Sequence, residues 1–113
     1  MRFFFGLTDR ATGRHHVVTG MATPTIQDLS VMDDIRGDEL EEDCDWGEEA
    51  TEHARLKLAA NILWYIPWPN VTNQMIKEYA DDVVMKMKSG EKWVLSLEEI
   101  QKWVLARHQQ VVQ

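Results

Sequence analysis

The stretch ARLKLAANILWYIP, residues 54–67, sets the first constraint on the fold. Leu56, Ala59, Ala60, Leu63 and Ile66 recur at helical spacing, and Leu58, Ile62 and Tyr65 widen the stripe. The last two turns are apolar nearly all round, so this helix must be covered on several sides and therefore central. Pro67 stops it, because the pyrrolidine ring removes an amide donor and clashes with the preceding turn. Glu48, Glu49 and Glu52 suit its start, where the positive end of the helix dipole favours carboxylates. The pattern predicts a helix over 48–66.

Two more helices follow. Met75, Ile76, Tyr79, Ala80, Val83, Val84 and Met87 form the apolar face of a helix over 71–88, with Asn70 as its expected cap. Lys86 and Lys88 sit at its negative end, and Ser89-Gly90 closes it. SLEE at 96–99 is a capping box: Ser96 accepts from the Glu99 amide and Glu99 reaches back to the Ser96 amide. Leu95 and Ile100 around it fit a hydrophobic staple, and this helix should run to about residue 109.

The N-terminal part reads differently. RFFFGLT (2–8) and RHHVVTGM (14–21) are aromatic and β-branched, and the polar DRATG between them predicts a β-hairpin. A lone hairpin is marginal in water, so it must lean on the helices. TPTIQDLS (23–30) suggests a third extended piece, at an edge because of Pro24. EKWVL (91–95) reads as a short extended link whose Trp93 packs on the body. The expected architecture is α+β, an N-terminal β-hairpin or small antiparallel sheet packed against three α-helices. It forms one domain over 1–113: strand-rich to 30, an acidic connection over 31–47, and a helical part from 48.

Charge is the second constraint. The net charge is −7, yet residues 33–52 alone hold eleven acids and one base, so the remainder is mildly basic. A field of that sign argues against direct binding to nucleic acid or anionic membranes. No stretch reaches the length of a membrane span, and the apolar run of MRFFFGLTDR is too short for a signal-peptide core. Cys44 is the only cysteine, which excludes an intramolecular disulfide and fits a reducing, cytoplasmic setting.

CDWGEEATEHARLKLAANIL, followed by KEYADDVVMKMKSGEKWVLSLEEIQKWV, resembles a small uncharacterised domain family of bacteria, archaea and their phages and plasmids. Its marks are a Trp-Gly start, an Ala/Leu-rich helix, a second helix with Tyr and paired Val, and a closing Leu-Ser-x-Glu-Ile-x-x-Trp helix. The resemblance covers about residues 45–104. It departs where Gly47 is followed by EEATEH instead of a Gly-rich stretch. The resemblance implies a prokaryotic or mobile-element setting and no reaction.

Several chemistries can be weighed on the residues. Asp43, Asp45, Glu48 and Glu49 lack the spacing of a calcium loop, and Cys44 and His53 match no zinc spacing, so no metal is expected. A Cys44–His53 nucleophile pair would suffer from acidic surroundings, which oppose thiolate formation. His53 is better read as a helix-surface partner of Glu49. No phosphate-cradling loop or Ser-centred elbow is present. No cofactor is implied and the chain reads as a non-enzyme.

The leading expectation is an acidic interaction protein of phage or mobile-element origin, binding and inhibiting a host or defence protein with a basic surface, such as one that binds nucleic acid. Carboxylates at phosphate-like spacing compete for a Lys- and Arg-lined groove. Asp38, Glu39, Glu41, Glu42, Asp43, Asp45 and Trp46 form the expected contact set, with Trp46 as a hot-spot type of residue. The alternative is a pocket between hairpin and helices for a small anionic ligand or nucleotide, served by Arg2, Arg10, Arg14, His15 and His16. His15 and His16 must point to opposite faces of a strand. A third reading is a structural or accessory domain. Trp64, Tyr65 and Trp68 either cover the core or offer a contact surface.

Overall fold

A computed structural model of the chain describes residues 2–8, 13–20, 38–40, 43–66 and 71–112. The fold is α+β, as expected. Strands β1 (Phe3–Thr8), β2 (His15–Gly20), β3 (Asp38–Glu39) and β4 (Trp93–Ser96) make one antiparallel sheet in the order β3-β2-β1-β4. The helices are α1 (Glu52–Leu63), α2 (Asn73–Tyr79) and α3 (Leu97–Val112). Between α2 and the 85–92 connection the backbone widens into a π-turn over Ala80–Val84, closed by Met85 N–H on the Ala80 carbonyl at 2.8 Å.

The hairpin pairs from Phe3↔Gly20 to Thr8↔His15, which leaves a six-residue connection, slightly longer than DRATG alone. Two strands were not expected as such. Part of the acidic connection is a strand, with Asp38 opposite Thr19 and Glu39 opposite Val18. The link before the last helix is β4, paired to β1 with Phe3↔Ser96 and Gly6↔Trp93. The extended piece expected over 23–30, with Pro24, lies outside the described residues, as do Pro67, Trp68 and Asn70.

Strand alternation splits the sheet's side chains between two faces. Phe4 and Val17 join Leu58, Ala59, Ile62 and Leu63 of α1, Tyr79 and Ala80 at the end of α2, Val84, and Ile100 and Val104 of α3 in the main core. Phe5, Leu7 and Val18 form a second buried cluster on the other face, with Phe3 and Val94 against it. Thr19 is a buried polar group whose hydroxyl donates to the Phe3 carbonyl at 3.0 Å and accepts from Arg2 Nη1 at 3.1 Å.

The helix boundaries differ from the sequence reading for local reasons. Thr51 caps α1 by accepting from Ala54 N at 3.1 Å, so Glu48 and Glu49 lie in the turn before it and only Glu52 falls in its first turn. Glu49 and His53 therefore share no helical contact. Thr72, not Asn70, caps α2 through Met75 N. The capping box is present: Glu99 N donates to Ser96 Oγ at 3.2 Å and Ser96 N to Glu99 Oε2 at 3.3 Å. Ser96 is also the last residue of β4, so the strand turns into the helix with no loop, held by Leu97 N on the Arg2 carbonyl at 2.9 Å.

α3 is braced against the π-turn. Arg107 pairs with Asp82 and lies over the Trp103 ring, which meets Tyr79 edge-on at 5.0 Å. Burial, with Glu99 nearby, holds the Tyr79 phenol well above the ordinary phenol range. Among the described residues no helix is long and apolar enough to cross a membrane.

Gly6 marks where β4 docks. A Cβ there would stand 2.0 Å from Trp93 Nε1, so only a bare backbone lets the indole approach β1 this closely. Gly6→Ala is expected to lift Trp93 and cost about 1–3 kcal/mol in urea unfolding. An unchanged unfolding midpoint would show that the contact does not hold β4.

Candidate functional site

The acidic run is not a uniformly solvated loop. Leu40, Cys44, Trp46 and Ala50 are buried, and they recur within the very stretch that carries the charge. Leu40 N donates to the Val17 carbonyl at 2.8 Å, which continues the β3 pairing into the turn. Trp46 is fully buried. His15 stacks on its face with ring centroids 4.9 Å apart, Trp93 meets it edge-on at 5.6 Å, and its Nε1 donates to the Glu91 carbonyl at 3.0 Å. A buried indole needs such an acceptor, because an unpaired N–H away from water costs about 1–3 kcal/mol. Trp46 is therefore core and not the exposed anchor that its residue type suggested.

Gly47 fixes the next bend. It has φ +89° and donates to the Val84 carbonyl at 2.9 Å, while a Cβ would stand 2.8 Å from the Ser89 backbone. Glu49 N donates to Ser89 Oγ at 3.1 Å. Arg55 turns its guanidinium inward onto the Ala50 and Gly47 carbonyls, so this base satisfies the turn's backbone. Asp45 is also engaged internally: one oxygen accepts from Trp46 N at 2.8 Å and lies 2.7 Å from His15 Nδ1. Among the described residues of the run, the carboxylates left outward are Asp43, Glu48, Glu49 and Glu52, all on exposed residues. Asp43 adopts φ +70°, a left-handed conformation that Asp tolerates better than most residues.

An open groove of about 520 Å³ runs beside this turn. Arg14 and His15 line one part, Asp43, Asp45 and Glu49 another, and Cys44, Ala50 and Ala54 contribute apolar surface. The residues expected for two rival sites thus meet in one place. Of the anionic-ligand set, Arg14 and His15 line this groove together, whereas Arg2 and His16 are placed elsewhere. Arg2 is held by Thr19 and lies over the Tyr65 ring at 4.6 Å. His16 pairs with Leu7 and shares its face, away from His15. Arg10 lies outside the described residues, as do Glu41 and Glu42 of the acidic set. Asp38 and Glu39 are placed by backbone alone, in β3. Arg14 shares the groove lining with three carboxylates, and that balance disfavours a nucleotide.

Among the described residues no group of three or more His, Cys, Asp or Glu side chains could hold a metal ion. Of the aromatic stretch, Tyr65 packs edge-on to Phe4 at 5.4 Å, whereas Trp64 is 83% exposed. The charge pattern gave no hint that Gly47 and Ser89 meet; the Trp-Gly pair was the only local signal of a tight bend.

Comparison with family models, with curated proteins and with solved structures finds no match.

The turn's two left-handed residues should respond oppositely to substitution. Gly47→Ala combines a strained φ with a backbone clash and is expected to cost about 2–4 kcal/mol. Asp43→Asn keeps a residue suited to its φ on an exposed site and is expected to stay within about 0.5 kcal/mol of the parent. Equal effects of the two in chemical denaturation would contradict the anchoring described for Gly47.

Proposed function

We propose that this is a small non-enzymatic interaction protein that binds a basic surface on a protein partner through the 43–52 turn. The observation behind this reading is the division of labour in the turn. Its backbone and its apolar residues are fastened to the core, while Asp43, Glu48, Glu49 and Glu52 are left outward with no ion pair among the described residues. Carboxylates held in advance lose less conformational freedom on binding, so more of the electrostatic attraction appears as affinity. Such a surface would also compete with nucleic acid for a Lys- and Arg-lined site and so inhibit a partner that uses one. A reducing cytoplasm, where the lone buried thiol of Cys44 persists, is the setting we assign, and a prokaryotic mobile element the origin that best fits such an inhibitor.

The test uses Glu48→Lys combined with Glu52→Lys, two exposed positions outside the groove lining. Partners captured from a prokaryotic lysate at low salt are identified, purified and titrated against parent and variant by calorimetry. The expected result is a partner with a basic patch, bound at least tenfold more weakly by the variant, with a shallower salt dependence. The melting temperature should fall only slightly, since the Glu52 change costs about 0.3–1 kcal/mol at the helix start. Equal affinity and equal salt dependence for both proteins would overturn the reading.

A further inference from the structure

Resting on the reading above, we propose that the groove beside the turn seats an arginine side chain of the partner. Three features of the groove point to that occupant. Its volume of about 520 Å³ is ample for one long side chain with the backbone that carries it. Cys44, Ala50 and Ala54 are small and apolar, a surface on which the methylene stem of a long basic residue can lie while its charged head stays at the rim. Asp43 and Glu49 reach the groove from two different parts of the turn, and neither has an ion pair among the described residues. A planar guanidinium can bridge two such carboxylates with separate N–H donors, which an ammonium point charge does less well.

Charge decides the sign of the ligand. The lining has three carboxylates against Arg14, so one further cation reduces an existing negative excess, whereas a phosphate would add to it. Asp45 is the least available of the three, because it already accepts from Trp46 N and meets His15 Nδ1. It serves to hold His15 and the turn in place, and so keeps the groove's wall in position.

The experiment is an NMR titration of the full chain, following backbone amides, with three probes. These are acetyl-Gly-Arg-Gly-amide, the same peptide with citrulline, and adenosine monophosphate. The arginine peptide is expected to give saturable shifts concentrated at Cys44, Ala50, Thr51 and Ala54. Citrulline, nearly the same shape without the charge, should bind at least tenfold more weakly. Asp43→Asn with Glu49→Gln should weaken the arginine peptide by a similar factor, and both positions are exposed enough to leave the rest of the spectrum unchanged. Equal shifts from citrulline, an unaffected double variant, shifts spread over Glu78, Glu98 and other remote acids, or a preference for the nucleotide would each overturn the proposal. Loss of partner capture on reversing Glu48 and Glu52, without arginine binding in the groove, would leave the acidic interaction surface standing and remove only its arginine seat.

Discussion

Burial of the Trp46 indole in the middle of the most acidic part of the chain is the interaction on which the rest depends. An aromatic side chain of this size hides roughly 150–250 Å² of surface, which corresponds to about 4–6 kcal/mol of transfer free energy before the costs of ordering are counted. That driving force acts at a point where four parts of the molecule converge. His15 brings in β2, Trp93 brings in β4, the Glu91 carbonyl brings in the connection before β4, and the chain on either side of Trp46 carries the carboxylates. With its N–H satisfied by Glu91 and its faces covered, the indole can occupy one position. The turn that carries it is then placed as firmly as a piece of the core.

This placement has an electrostatic cost. Asp43, Glu48, Glu49 and Glu52 lie within ten residues, and the guanidinium of Arg55 just after them is directed at backbone carbonyls. At physiological ionic strength exposed charges interact over about 8 Å, so the mutual repulsion is moderate and falls further with salt. Glu52 recovers part of it at the positive end of α1. The remainder is offset by the apolar anchor. Any cationic partner that settled on the turn would remove the repulsion, and by linkage its binding would stabilise the fold.

The π-turn explains how the far side of this anchor is made. A continuous α-helix over 71–88 would give each carbonyl a partner four residues on. Widening at Ala80–Val84 shifts the register by one residue, places Asp82 against Arg107 of α3, and ends the helical ladder at Val84. The Val84 carbonyl then accepts from Gly47 and from Met87. One irregularity therefore joins α3 to the helical layer and offers the acidic turn its backbone acceptor.

The elements with strong local chemistry were legible in the sequence. The hairpin, the central apolar helix and the Ser96–Glu99 capping box depend on neighbours within a few residues, so their patterns survive in the chain alone. The strand β3 did not show, and β4 was legible only as an extended link, because two to four residues become ladder strands through their pairing with β2 and β1. The π-turn was hidden for a related reason: ADDVV reads as ordinary helix until Arg107 and Gly47 are placed beside it. The acidic run misled in a more instructive way. Its composition suggested one solvated strip with Trp46 as an exposed anchor, but composition does not say which positions face inward. Leu40, Cys44, Trp46 and Ala50 punctuate the run, and once they are buried, Asp43, Glu48 and Glu49 sort outward. Asp45 is the exception, kept half inside because His15 and the Trp46 amide give it partners. The charge of the segment and its burial are thus one pattern. Asp43, Glu48, Glu49 and Glu52 face solvent in a fixed array because the apolar residues between them are needed by the core.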